Sequence, residues 1–93
     1  MKAWVVAKTG TPRQVLKIVD CAVPEPIPGT MRVKVLAAGV GLPDVLTCKG
    51  NYPFMPQLPF TNGQEVCGVV TDRNGNESFQ LGQRVMGVTA FIE

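Results

Sequence analysis

Proline placement constrains this chain more than any other feature of its 93 residues. Three prolines fall in PEPIPG (Pro24 to Gly29) and three more in NYPFMPQLPFTNG (Asn51 to Gly63). A proline fixes φ and offers no N–H, so both stretches are barred from helix interiors and from the middle of a sheet. The first reads as a stiff extended connector, the second as a rigid irregular loop of the kind that often carries function.

What lies around them has room only for short elements. KAWVVAK (Lys2 to Lys8) is rich in β-formers and stops at the turn signal Thr9-Gly10-Thr11-Pro12, and VLKIVDCAV (Val15 to Val23) alternates as a second strand. MRVKVLAAGV (Met31 to Val40) alternates and then turns wholly apolar, as a strand does on entering a buried place, and should be the most protected strand. LPDVLTCKG (Leu42 to Gly50) has Pro43 at a first helical position and Gly50 as terminator, and is the one short helix expected. EVCGVV (Glu65 to Val70) and QRVMGVTAFI (Gln83 to Ile92), parted by the polar turn DRNGNES (Asp72 to Ser78), bring the total to about five strands. Short strands separated by Gly and Pro turns favour a mainly-β barrel or sandwich.

Composition narrows the function. Apolar residues make up 45% and charged ones 17%, a globular balance for one small domain with a thin core. The net charge is +2 and the nine basic residues are scattered, so nothing follows a phosphate backbone and nucleic acid is not expected as a partner. No apolar run approaches the roughly 18 to 20 residues that span a bilayer, and no leader pattern follows Lys2, which points to a cytoplasmic protein with no membrane partner. Cys21, Cys48 and Cys67 are odd in number and widely spaced, which suits reduced structural thiols better than a disulfide framework or a zinc-binding pair. The chain has no histidine, so chemistry that needs imidazole is closed to it. Because GVTAFIE would leave an apolar strand exposed, the polypeptide is expected to continue beyond Glu93.

Taken in order, AAGVGLPDVLTCKGNYP, LPFTNGQEVCGVV and FQLGQRV resemble the N-terminal part of the medium-chain dehydrogenase/reductase superfamily, nearest to its zinc-independent quinone reductase and enoyl reductase branch. The likeness runs from MKAWVV through PEPIPG to GQRVMGV. It implies a GroES-like partial β-barrel over residues 1–93, followed in complete family members by a Rossmann domain that binds NADPH or NADH and is absent from this chain. No GxGxxG occurs in this sequence, so the chain alone is not expected to hold a dinucleotide. The implied protein reduces a small-molecule electron acceptor, a quinone or an activated double bond, with a homodimer as one form open to the full-length protein. A free-standing GroES-like binding module without chemistry is the rival reading, and the residues that follow Glu93 in the reading frame separate the two.

The resemblance also assigns roles. Zinc-dependent members place a Cys after AAGV and a His in Gly-His-Glu, where the metal polarises an oxygen. Here those positions hold Gly41 and Gln64, neither a credible ligand, so no zinc is expected. Gly41, Leu42, Pro43, Asp44 and Val45 then form the stretch that approaches the nicotinamide, or else a plain strand-to-helix turn with Asp44 acting locally. Many quinone reductases carry asparagine at the position of Gly41, so that amide is lost here. Tyr52 matches a pocket aromatic and is the catalytic candidate, since a phenol donates a hydrogen bond to a carbonyl without ionising; packing within the loop is the other reading. Gln64 is a pocket residue or a loop cap, and Glu65 a buried or loop-tying carboxylate that must find donors.

Overall fold

A computed structural model of the chain describes residues 1–89. The first strand, β1 (Lys2–Val6), pairs antiparallel on one side with β2 (Leu16–Asp20) and on the other with a two-residue strand, β4 (Phe60–Thr61). A second three-stranded antiparallel sheet has β5 (Glu65–Asp72) at its centre, flanked by β3 (Arg32–Ala37) and β6 (Arg84–Val88). Two open sheets with short helices are the architecture expected of a partial GroES-like barrel.

Among the described residues two helices are present where one was expected. Besides α2 (Leu42–Lys49), a single turn, α1 (Pro12–Val15), sits between β1 and β2. Thr11-Pro12 reads as a turn signal in sequence, yet Pro12 at the first helical position supplies the φ that a helix needs. The amides of Gln14 and Val15 both donate to the Thr11 carbonyl, at 2.9 and 3.0 Å. Val15 thereby leaves the strand and enters the core, so β2 begins at Leu16 and ends at Asp20, short of Val23.

The core of the first sheet gathers Val6, Val15, Cys48 and Phe60, with Leu16 and Met55 packed against them. Each elements' contribution is small in number but not in energy, because burying one such side chain is worth about 1.5–3 kcal/mol. Phe60 explains why part of the proline loop is ordered as strand: it pairs with Val6 in register and is buried beside it.

The expectation for Met31 to Val40 is corrected. Val35 and Leu36 of β3 are exposed, while β5 carries the buried Gly68 and Val70. β3 lies at the edge of its sheet and its register is broken on both sides of Val33–Val35, so apolar composition there does not translate into cover. β5, bonded on both edges, is the protected strand. The connector after Cys21 is irregular as expected and ends in a turn where the Thr30 amide donates to Ile27, with Gly29 at φ 81°. Of the last expected strand, residues 84–88 are strand, and residues 90–93 lie outside those described.

Candidate functional site

α2 is held at both ends by devices readable in its residues. At its start Asp44 turns back, and its Oδ2 accepts the Gly41 N–H at 2.9 Å, half of a capping box; the Asp44 amide donates to the Gly41 carbonyl at 3.1 Å. Asp44 and Lys49 also carry the charge signs that the two helix ends favour. At its end Gly50 adopts φ 78°, which lets its amide reach Thr47 and the next amide reach Leu46, closing the last turn.

Asp44 is only 8% exposed; its Oδ2 serves the helix cap, and its Oδ1 is buried without a hydrogen-bond partner among the described residues. Gly41 itself is extended, at φ −141°, a conformation any residue adopts, and a Cβ there would meet only Pro43 Cδ at 3.5 Å. Neither backbone strain nor a protein contact demands glycine at this position. What Gly41 provides is open space beside two exposed side chains, Val40 and Leu42.

One residue that sequence reasoning passed over ties this helix to the sheet. Asn62 Oδ1 accepts the Thr47 hydroxyl at 2.9 Å, and its Nδ2 donates to the Asp44 carbonyl at 3.3 Å and to Cys48 Sγ at 3.5 Å. Its backbone amide donates to the Trp4 carbonyl of β1 at 2.9 Å. In sequence Asn62-Gly63 is only a turn signal, and nothing in one dimension marks the three partners 14 to 18 residues away. A cavity of about 330 Å³ opens beside it, lined by Trp4, Leu16, Val40, Asp44, Asn62 and Gly63 among others. Of the residues proposed for the site, Asp44 is the one on this wall; Gly41, Tyr52 and Gln64 are not.

Tyr52 is half-buried in the loop just beyond Gly50. Gln64 is also half-buried; its carbonyl accepts the Thr89 amide at 2.6 Å, and its Nε2 is buried without a partner among the described residues. Glu65 departs from expectation. It is exposed, its carboxylate lies where a side chain on Gly39 would stand, and among the described residues it accepts no hydrogen bond. The expected buried carboxylate of this region is Asp44.

Cys48 is fully buried, and burial first, then the negative charge of Asp44, pushes its thiol above the usual range. The folded chain therefore keeps a proton that the unfolded chain releases. That contribution is complete below the ordinary thiol pKa of about 8.5 and is lost as pH rises through the higher folded value. An alkaline series of thermal melts should show stability declining above that point, by up to about 1.4 kcal/mol per pH unit, with the decline reduced in Cys48→Ala. An equal decline in the variant would assign it to other groups.

The two open sheets and the capped helix between them define a class, and comparison with known families agrees with it. Residues 27–92 match the alcohol dehydrogenase GroES-like domain, and the chain belongs to that family. Quinone oxidoreductase-like protein 2 of Mus musculus is 41% identical over 81 residues, covering 85% of this chain and 23% of its own length. The mitochondrial enoyl-acyl-carrier-protein reductase of Xenopus tropicalis is 38% identical over 71 residues, covering 76% of this chain and 20% of its own. A mycobacterial protein solved in complex with NADPH superposes with a TM-score of 0.84 at 35% identity, covering 98% of this chain and 28% of its own. The chain thus spans about a quarter of the length of these relatives. Among the described residues no helix is long and apolar enough to cross a membrane.

Proposed function

We propose that this chain forms the substrate-side part of an NADPH-dependent oxidoreductase that works without zinc and reduces a quinone or an activated carbon–carbon double bond. The observation that carries this reading is the open segment Val40-Gly41-Leu42, uncovered at the start of a helix whose Asp44 caps it through one carboxylate oxygen. The names of the mouse and frog relatives and the NADPH in the mycobacterial complex support the reaction type. The dinucleotide, which supplies a hydride when bound, would be held mainly by residues outside this chain, because no phosphate-cradling glycine loop is present in it.

The contribution of this chain is to position and to shield. Asp44 fixes the backbone at Gly41 by taking its N–H, so the segment meets a ligand in one shape. Val40 and Leu42 offer aliphatic surface that excludes water once a ligand or a second domain covers it. Tyr52 donates a hydrogen bond to the acceptor oxygen and water delivers the proton.

The test is Tyr52→Phe in the complete enzyme. If the hydroxyl polarises the acceptor more strongly in the transition state, kcat should fall about tenfold with KM nearly unchanged, a replaceable donor lying at the weak end of general-acid effects. Unchanged kcat and kcat/KM would return Tyr52 to loop packing. Zinc independence has its own check: after dialysis the chain should hold much less than one equivalent of zinc, because Gly41 and Gln64 offer neither thiolate nor imidazole. A retained equivalent that disappears in Cys48→Ala or Cys67→Ala would defeat that part of the proposal.

A further inference from the structure

We infer that Asn74 is a site of spontaneous deamidation, and that losing its amide unties the β5–β6 connection from the proline connector. The chain contains two Asn-Gly pairs, Asn62-Gly63 and Asn74-Gly75. A following glycine favours the reaction because no Cβ obstructs the approach of its nitrogen to the asparagine carboxamide. The Gly75 nitrogen forms a bond to Asn74 Cγ and gives up its proton, and the Cγ–Nδ2 bond breaks with release of ammonia, leaving a five-membered succinimide. Water opens that ring at either carbonyl, yielding aspartate or isoaspartate. One water is consumed, one ammonia is released, and nothing is oxidised or reduced.

The sequence presents the two pairs as equals; the structure separates them. Asn74 is exposed at φ 50°, followed by Gly75 at φ 81°, and the turn is closed by the Asn76 amide donating to the Arg73 carbonyl at 3.0 Å. Among the described residues its carboxamide makes one hydrogen bond, Nδ2 to the Ile27 carbonyl at 3.0 Å. A Cβ on Gly75 would find nothing within 4 Å among the described residues, so nothing packs over this side of the exposed turn. The Asn62 carboxamide is half-buried and engaged by Thr47, Asp44 and Cys48 together. It must leave all three before its ring can close, and each lost bond lowers the population of the reactive arrangement.

The consequence at Asn74 is specific. The Ile27 carbonyl accepts three donors, the Thr30 amide at 3.0 Å, the Thr30 hydroxyl at 2.7 Å and Asn74 Nδ2. A carboxylate in place of the amide donates nothing and faces that carbonyl with like partial charge. Isoaspartate also adds a methylene to the backbone of a turn with two left-handed residues at its centre. Residues 27–30 thus lose their tie to a segment 47 residues away.

The experiment is prolonged incubation of the 93-residue chain in mildly alkaline buffer, with site-resolved mass spectrometry that distinguishes aspartate from isoaspartate, alongside the same chain in denaturant. In the folded chain Asn74 should convert at least about tenfold faster than Asn62, and in denaturant the two rates should converge. Equal rates in the folded chain overturn the assignment, as does an Asn74 that is stable when folded but reactive when denatured. The second half is read from Asn74→Asp by amide hydrogen exchange: the Thr30 amide should exchange about tenfold faster, with the amides of α2 unchanged. An unchanged Thr30 amide would show that the connector holds without Asn74.

Discussion

Gly68→Ala is expected to cost this chain a large share of its stability. Gly68 sits in β5 opposite Val35, and a Cβ built on it would collide with the Lys34 carbonyl oxygen, with Lys34 C at 2.9 Å and with Val33 Cγ1 at 2.8 Å. Two of those atoms are backbone of the neighbouring strand and cannot rotate away. Relief requires β3 to move off β5, and that pairing holds the second sheet together. Overpacking of this kind costs about 3 kcal/mol, which for a domain of this size lowers Tm by roughly 10–20 °C. Gly39→Ala is the control. Its Cβ also meets an occupied position, but the occupant is the exposed Glu65 carboxylate, the free end of a flexible side chain. That variant should lose under about 1 kcal/mol, and nothing at all in a Glu65→Ala background. Melts in which the two alanines behave alike would mean that β3 can yield as easily as Glu65 does.

The contrast between these glycines shows what was and was not legible in the sequence. Strand and turn chemistry is local, so β1, β5, the α2 segment with Pro43 and Gly50, and the polar turn after Asp72 could all be read from it. The single turn α1 is too short to show a period, and β4 exists because Phe60 pairs with Val6, more than fifty positions away. The misplaced protection of β3 has the same origin. An apolar run records affinity for cover, whereas cover at Val35 and Leu36 depends on what packs over that face. At the candidate site, the family likeness pointed to the Gly41–Val45 and Gln64–Glu65 segments, but it could not say which carboxylate turns inward. Asp44 does so because the Gly41 N–H is an orphan donor at the helix start, and a carboxylate three positions on reaches back to it. Glu65, exposed and at the strand's first position, has no such demand on it.

The residue most hidden from the sequence also gives the second large prediction. Asn62→Ala removes the acceptor of the Thr47 hydroxyl and the donor to the Asp44 carbonyl and Cys48 Sγ. The Thr47 hydroxyl can fall back on the Asp44 carbonyl, which it already approaches at 2.9 Å, and the adjoining cavity gives water a way in. Two lost hydrogen bonds with partial replacement amount to about 2 kcal/mol. Asn62→Asp should be worse, although it keeps an acceptor for Thr47. Its carboxylate has no donor for the Asp44 carbonyl and would face that oxygen with like charge, so at neutral pH the loss should reach about 3 kcal/mol. Acidifying the sample enough to protonate the new carboxyl should recover part of that loss, while the alanine variant lacks this gain. Chemical denaturation of the three chains at neutral and acidic pH decides it. If the aspartate variant is no less stable than the alanine one at neutral pH, the amide donor is unimportant and Asn62 anchors α2 through Thr47 alone.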